Sequence, residues 1–232
     1  MHRATRILSI MLITAGVVVL ADAGATLLWQ EPVSAAYGSL KQSQASDDLS
    51  ELESQFPASG DLAALSGVSG DAAQARVLAD LFSQRIGQGD PIGRIQIERI
   101  GLDSVFLQGT STATLQRGPG HYPTTPLPGQ PGTAAIAGHR TTYLAPFRKI
   151  NEIRDGDEIT LVMPYAAFTY TVEKHQIVEP SDVQIIDPVG YERLVLTACH
   201  PLYSAAQRWA VFARLTRIDT FGISAEGKWL SP

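Results

Sequence analysis

The chain is poor in cysteine: its 232 residues include a single one, Cys199. A lone thiol cannot form an internal disulfide, so the fold must be stable without such cross-links, as a domain of ordinary size can be. A net positive charge is also missing, because 18 Lys and Arg residues stand against 23 Asp and Glu residues. This balance argues against nucleic acid as a partner. Close ligand pairs such as Cys-x-x-Cys are absent too, so we expect no metal and no cofactor.

One long apolar run stands at the N-terminus. Residues 7–29 are apolar apart from Asp22 and small polar residues, and Arg3 and Arg6 precede them. As a helix this run spans about 34 Å, enough to cross a bilayer core. The basic flank predicts a single-pass cell-membrane anchor within residues 1–32, with a cytoplasmic N-terminus and the bulk of the chain extracytoplasmic. A secretory signal peptide and a buried helix are the competing interpretations, and Asp22 is costly in any spanning helix.

A composition change follows the apolar run. Residues 33–90 are rich in Ser, Ala, Gly, Asp and Gln and poor in aromatic residues, which is typical of a connector. Within them, apolar residues at helical spacing predict one helix near 72–86. Asp71 is placed to cap the start of this helix, and Gly87 is placed to end it. We therefore expect a partly helical connector.

From residue 91 onward the pattern becomes one of short strands separated by Gly and Pro. Many short strands at regular spacing predict an all-β domain, a closed or nearly closed barrel at residues 91–219, with residues 220–232 as a C-terminal tail. A helical turn is expected within 144–153. The predicted strands are 92–97, 103–107, 133–137, 158–162, 167–173, 175–180, 193–198 and 209–218.

Three chemistry-bearing residues stand at the ends of predicted strands. Cys199 follows the apolar residues 194–197, Arg208 precedes the next strand, and His139 follows the apolar residues 134–137. If these strands are neighbours, thiol, imidazole and guanidinium supply a nucleophile, an acid/base and an oxyanion donor. The alternatives are a buried structural thiol, a loop histidine and a surface ion-pair arginine.

Three segments follow one another in the second half of the chain: GPGHYPTTPLPGQPGTAAIAGHRTT at 118–142, LVLTACHP at 194–201 and SAAQRWAVFARL at 204–215. These segments and their order resemble the sortase family, most closely the class E sortases of actinobacteria. The resemblance covers roughly residues 91–218. It implies an eight-stranded sortase-type β-barrel with short helices, and it implies that His139, Cys199 and Arg208 are the catalytic residues.

The resemblance also implies an activity. Such a cysteine transpeptidase cleaves a C-terminal sorting signal, LAxTG or LPxTG-like, between Thr and Gly through a thioacyl intermediate on Cys199. It then transfers the acyl group to an amine of a cell-wall precursor or a pilin subunit. The implied partners are sorting-signal-bearing secreted proteins and that amine acceptor. A non-catalytic exported peptide-binding barrel, another cysteine transpeptidase acting on peptidoglycan, and an enzyme inhibited by its connector or tail remain the alternatives.

Further residues near these segments are candidates to contact the substrate. His121 either lines the groove or braces its loop, and Tyr122 is placed to contact the sorting peptide. His200 adjoins Cys199 and is expected to point to the opposite face of the strand, from which it would tune the thiol electrostatically. We also include these three residues among the candidate substrate-binding positions.

The residues just before the cysteine depart from the family pattern. The family usually has Thr directly before the catalytic Cys, whereas this chain has Ala198 there and Thr197 one position earlier. Both are candidate substrate-binding positions, and we expect retained chemistry with a changed rate or preference. Arg140, directly after His139, is interpreted as structural.

Overall fold

The structure is a computed structural model that describes residues 2–28 and 32–221. Most of the tail expected at 220–232 therefore lies outside the described residues. The helices are α1 (His2–Leu28), α2 (Pro32–Gln55), α3 (Ser59–Ala63), α4 (Asp71–Ser83) and α5 (Thr112–Leu115). The strands are β1 (Pro91–Ile97), β2 (Leu102–Gln108), β3 (Gly120–His121), β4 (Thr133–Ala137), β5 (Glu158–Met163), β6 (Ala166–Val178), β7 (Arg193–His200) and β8 (Gln207–Thr220).

Helix α1 carries the apolar N-terminal run. Its segment Arg3–Gly24 has a mean hydropathy of 2.2 over 22 residues, and none of it is buried against the rest of the chain. Long apolar side chains such as Leu20, which is 74% exposed, therefore lack a protein partner. A helix of this length and exposure is consistent with a membrane anchor.

In the described part of the chain, the strands form one closed barrel in the order β1-β2-β3-β4-β7-β8-β6-β5. Strand β5 pairs with β1 and closes the ring. The pairs β2–β3 and β4–β7 are parallel, whereas the other pairs are antiparallel. Closure leaves no exposed sheet edge. The eight-stranded all-β barrel confirms the predicted fold class.

Apart from shifts of one or two residues at strand ends, the strand pattern differs from the prediction at β6 and β3. The segments predicted as separate strands at 167–173 and 175–180 form the single strand β6, and the apparent break between them is a register shift between Val172 and Lys174. A bulge interrupts the alternation of side chains without ending the strand. Strand β3 was not predicted, because two residues carry no periodicity.

The connector is more helical than the one helix expected near 72–86. That helix is α4, which buries Ala75, Leu78 and Phe82 against the barrel core. Helix α2 precedes it and lies along β1 and β2. Its Gln42 side chain donates to the carbonyls of Val105 (2.9 Å) and Arg117 (2.6 Å). The connector is thus fixed to the barrel at both helices.

The turn after β4 is shaped by a glycine. A Cβ at Gly138 would lie 2.5 Å from the ring of Phe147, which is fully buried. The aromatic ring therefore packs directly on the glycine backbone. Since His139 is the next residue, this contact positions the backbone on which its side chain stands.

We expect Gly138→Ala to destabilise the fold by about 2 kcal/mol, because the ring of Phe147 must move within a packed core. Gly60→Ala is the matched control, since nothing lies within 4 Å of a Cβ at Gly60. It should change the free energy of unfolding by less than about 0.5 kcal/mol. Urea unfolding of the detergent-solubilised chain, followed by tryptophan fluorescence, measures both; equal midpoints for the two variants would contradict the packing argument.

Candidate active site

Cys199 lies at the end of β7 on the outer face of the barrel. Along β7, Leu194, Leu196 and Ala198 belong to the main core, whereas Val195 belongs to a separate cluster outside it. Side chains alternate between the two faces of a strand, so Cys199 shares the face of Val195. The thiol is partly exposed and forms no disulfide. It is therefore accessible to a molecule bound on this outer face.

Arg208 lies directly opposite Cys199. The two residues are partners in the antiparallel β7–β8 ladder, which places their Cα atoms about 5 Å apart and their side chains on the same face. The Nη1 atom of Arg208 donates to the carbonyls of Ala205 and Gln207, both at 2.9 Å. Among the described residues these are its hydrogen bonds, so Nη2 and Nε keep donors for a ligand.

His139 follows β4, the strand that pairs with β7 on the side opposite β8. The parallel register pairs Ala135 with Val195 and Ala137 with Thr197, and the Gly138 N–H donates to the Thr197 carbonyl at 3.0 Å. The ladder ends there, and His139 and Cys199 each lie two residues beyond its last pair. The sequence-predicted thiol, imidazole and guanidinium are thus carried by the adjoining ends of three neighbouring strands.

The environment of His139 favours its neutral form. Burial lowers the pKa of its imidazole below the ordinary value. Its Nε2 atom is buried and has no hydrogen-bond partner within the part of the chain that the structure describes. Such a nitrogen is free to exchange a proton with a reacting group.

The loop after His139 is strained and is braced by α2. Tyr143, Leu144 and Ala145 have φ values of 50°, 65° and 44°, which non-glycine residues rarely adopt. The Tyr143 ring lies 5.3 Å from the His139 ring and 6.2 Å from that of Tyr37 on α2. The hydroxyl of Ser34, also on α2, accepts a hydrogen bond from the Tyr143 N–H at 3.1 Å. Sequence reasoning missed this brace because it is carried by loop and connector residues.

His121 is buried, with 1% of its surface exposed. Its Nδ1 lies 2.8 Å from the Gln108 side-chain oxygen, and its Nε2 lies 3.1 Å from both the Pro126 carbonyl and the Thr125 hydroxyl. These contacts tie the Pro-rich loop to the barrel. Of the two interpretations left open for His121, the placement favours the loop brace over contact with a substrate.

The other candidate substrate-binding residues divide between the two faces of β7. Thr197 shares the face of Cys199, and its hydroxyl is 2.9 Å from that of Tyr122. Ala198 is 3% exposed in the main core, so a hydroxyl at that position would point away from a ligand on the Cys199 face. His200 also lies on the core side, where its ring is 5.5 Å from that of Trp209. Thr197 is itself only 3% exposed, so the half-buried Tyr122 is better placed than Thr197 to meet a ligand on that face.

The described residues were also compared with the ligand sets that bind metal ions. In the described ranges no group of three or more His, Cys, Asp or Glu side chains is placed to hold a metal ion. The residues at the end of β7 instead form a set suited to nucleophilic chemistry on a carbonyl: a thiol, an imidazole and a guanidinium.

The sequence model of the sortase domain family matches residues 95–216 of this chain. Sortase D of Bacillus subtilis is 31% identical over 153 residues, which cover 64% of this chain and 74% of that protein. Sortase SrtE1 of Streptomyces coelicolor is 30% identical over 145 residues, covering 56% of this chain but only 41% of the relative. The solved structure of sortase E from Streptomyces avermitilis is 37% identical, covers 58% of this chain and 93% of that one, and superposes with a TM-score of 0.53.

The chain therefore belongs to the sortase family, which confirms the resemblance drawn from its motifs. Sortases are cysteine transpeptidases that are associated with the membrane, and the apolar helix α1 is consistent with that location. The matched region runs from within β1 to within β8 and includes His139, Cys199 and Arg208.

The buried His121 makes the stability of the fold dependent on pH. Burial lowers its pKa to about 4, while its hydrogen bond to the Pro126 carbonyl acts in the opposite direction. Since the unfolded chain binds this proton near pH 6.5, stability falls as pH drops from about 6.5 to 4, by about 3 kcal/mol. His121→Gln should lose this part of the pH dependence. Urea unfolding at several pH values measures it; parallel curves for the two proteins would contradict the assignment.

Proposed function

We propose that this protein is a class E-like sortase that cleaves a C-terminal sorting signal between Thr and Gly and transfers the acyl part to an amine. The observation that carries the proposal is the meeting of Cys199, Arg208 and His139 at the ends of β7, β8 and β4. The class assignment is supported by the similarity to sortase E, although Sortase D is comparably similar over a longer match. An LAxTG or LPxTG-like peptide is the proposed substrate.

The first half-reaction forms a thioester on Cys199. Because burial keeps His139 neutral, the imidazole takes the thiol proton as the sulfur attacks the Thr carbonyl carbon. The carbonyl oxygen becomes an oxyanion, which the free donors of Arg208 stabilise. As the C–N bond breaks, His139 returns its proton to the departing Gly amine. The thiol proton thus ends on the leaving group.

The second half-reaction reverses these roles. An acceptor amine attacks the thioester carbon and loses a proton to His139, and the C–S bond breaks as the oxyanion collapses. The proton then passes to the departing sulfur, which restores the starting state. The acceptor belongs to a cell-wall precursor or a pilin subunit, and without an amine, water slowly resolves the thioester.

The proposal includes the arrangement of the chain at the membrane. Residues 1–32 form a single-pass anchor with a cytoplasmic N-terminus, because Arg3 and Arg6 precede the apolar run on that side. Residues 33–90 form the connector, and residues 91–219 form the catalytic barrel outside the membrane. The clients are secreted proteins that carry the sorting signal.

Incubating the full chain in detergent with a fluorogenic LAxTG peptide tests the function. We expect peptide cleavage, a covalent acyl adduct on Cys199 by intact-mass spectrometry, and release of that adduct as a hydroxamate by hydroxylamine. Cys199→Ala should bind the peptide yet form no adduct. LPxTG and scrambled peptides serve as specificity controls.

Two outcomes would overturn the proposal. Peptide binding without adduct or cleavage in the wild-type protein would favour a non-catalytic binding module. Reaction with peptidoglycan stem peptides but with neither sorting peptide would favour another cysteine transpeptidase.

Arg208→Lys keeps the positive charge but loses the planar fork of donors. We expect kcat/KM for the sorting peptide to fall about 100-fold, because the oxyanion loses aligned hydrogen bonds. Arg214→Lys on the same strand is the matched control, since the Nε of Arg214 donates to the exposed Glu173 carboxylate at 2.6 Å. It should change kcat/KM by less than about twofold. A kcat/KM equal to that of the wild type in Arg208→Lys would contradict the proposed role of Arg208 in stabilising the oxyanion.

A further inference from the structure

A second arginine lies behind the candidate nucleophile. Arg140 is only 5% exposed, and within residues 2–28 and 32–221 no carboxylate forms a salt bridge with it. Burying a guanidinium is costly unless hydrogen bonds or an opposite charge compensate it. The partners of Arg140 therefore indicate why this position retains a charge.

One of these partners is the backbone of Cys199. In the β4–β7 ladder the Gly138 N–H donates to the Thr197 carbonyl at 3.0 Å. The carbonyl of Cys199, two residues on, is the next acceptor on that side of β7, but β4 has ended by then. The Nη1 atom of Arg140 donates to it at 3.2 Å. The guanidinium thus continues the ladder where the strand backbone cannot.

The remaining contacts fix the guanidinium in place. Nη2 donates to the Asn151 side-chain oxygen at 2.6 Å, and Nε donates to the Arg148 carbonyl at 3.4 Å. Nη1 also lies 3.2 Å from Nδ1 of His200. Because a guanidinium only donates, Nδ1 is the acceptor in this hydrogen bond. The Trp209 ring lies 6.0 Å from the guanidinium carbon and covers it from another side.

We propose that Arg140 is a positioning residue for Cys199: it holds the backbone of the nucleophile at the end of β7 and supplies a buried positive charge that favours its thiolate. The proposal rests on the proposed function, in which Cys199 is the nucleophile. Nη1 of Arg140 lies 3.2 Å from the carbonyl oxygen of this same residue, and a positive charge near a thiol favours its ionised form. Burial lowers the pKa of Arg140, while the interaction with Cys199 acts in the opposite direction.

Several charged or titratable residues lie on the elements around Cys199. Arg208 faces the thiol from β8, His139 from the end of β4, and Arg148 lies beside Arg140. Of the acidic residues on neighbouring elements, Glu179, after β6, accepts from the Gln207 side chain at 2.9 Å, and Asp155 lies 3.8 Å from His175. Of Arg140, Arg148 and Arg208, only Arg140 is buried.

Alkylation by iodoacetamide tests the proposal without any substrate. The chain has one cysteine, so the rate reports on Cys199 alone. We expect Arg140→Met to lower the rate at pH 7 about tenfold and to move the pH–rate profile up by about one unit. Arg140→Lys should recover most of the rate, because it restores the charge. A wild-type alkylation rate in Arg140→Met would overturn the proposal. An equal loss of alkylation rate in Arg140→Lys and Arg140→Met would also overturn it.

Two further variants separate charge from structural damage. Arg193→Met is the matched control: Arg193 is 7% exposed at the opposite end of β7, where it donates to the carbonyls of Ile185 and Asp187. It should alkylate like the wild type. Asn151→Asp keeps Arg140 but gives it a counter-ion, so it should slow alkylation in the direction of Arg140→Met, whereas Asn151→Ala should have a smaller effect. If Arg140→Met fails to fold, an unchanged rate in Asn151→Asp overturns the proposal.

Turnover of the sorting peptide, measured in parallel, separates this proposal from the proposed function. If the variants are alkylated more slowly but the wild-type protein does not turn over the peptide, the proposed sortase activity is contradicted. The effect of Arg140 on the thiol is still supported in that case. Turnover by the wild-type protein together with unchanged alkylation rates in the variants would contradict only the proposed role of Arg140. In an active enzyme, Arg140→Met should lower kcat more than it changes KM, since Arg140 acts through Cys199 and not on the bound peptide.

Discussion

The register among β4, β7 and β8 is the constraint on which the candidate site depends. His139 and Cys199 are 60 residues apart in sequence, and only the parallel pairing of β4 with β7 brings their strand ends together. The antiparallel pairing of β7 with β8 adds Arg208 at the same level. A slip of one residue in either ladder would turn the thiol and its partner to opposite faces of the sheet. The closed barrel and its filled interior therefore specify the chemistry as much as the three side chains do.

Around this register, two guanidinium groups approach the proposed nucleophile Cys199 from different sides. Arg208 occupies the open face, where its free donors suit an oxyanion, and Arg140 occupies the buried face, where its donors are used by the protein itself. The two guanidinium groups are thus not redundant, because one can meet a ligand and the other cannot. Sequence alone suggested only that Arg140 was structural, since its donors can be located only when the end of β4 and the carbonyl of Cys199 are both known.

The sequence predicted the barrel well because alternation survives in most of its strands. The predicted strand at 133–137 matches β4, and the strands carrying Cys199 and Arg208 were placed within two residues. The sequence prediction failed for α2, where few of the residues at helical spacing are large and apolar. The buried face of α2 consists of Ser34, Gly38, Gln42, Ala45 and Leu49, at helical spacing but mostly small or polar. Composition therefore indicated a connector, although these small residues are what lets the helix approach the barrel closely.

That close approach links the connector to the candidate site. Gly38 allows α2 to approach the strained loop: a Cβ there would lie 3.0 Å from the backbone of Tyr143. Strain of this kind persists only where surrounding contacts maintain it, and α2 supplies two of them through Ser34 and Tyr37. Since the Tyr143 ring also contacts His139, the imidazole depends on the connector for part of its environment. The segment that follows the apolar helix is thus part of the structural support of the candidate site, and not only a link between that helix and the barrel.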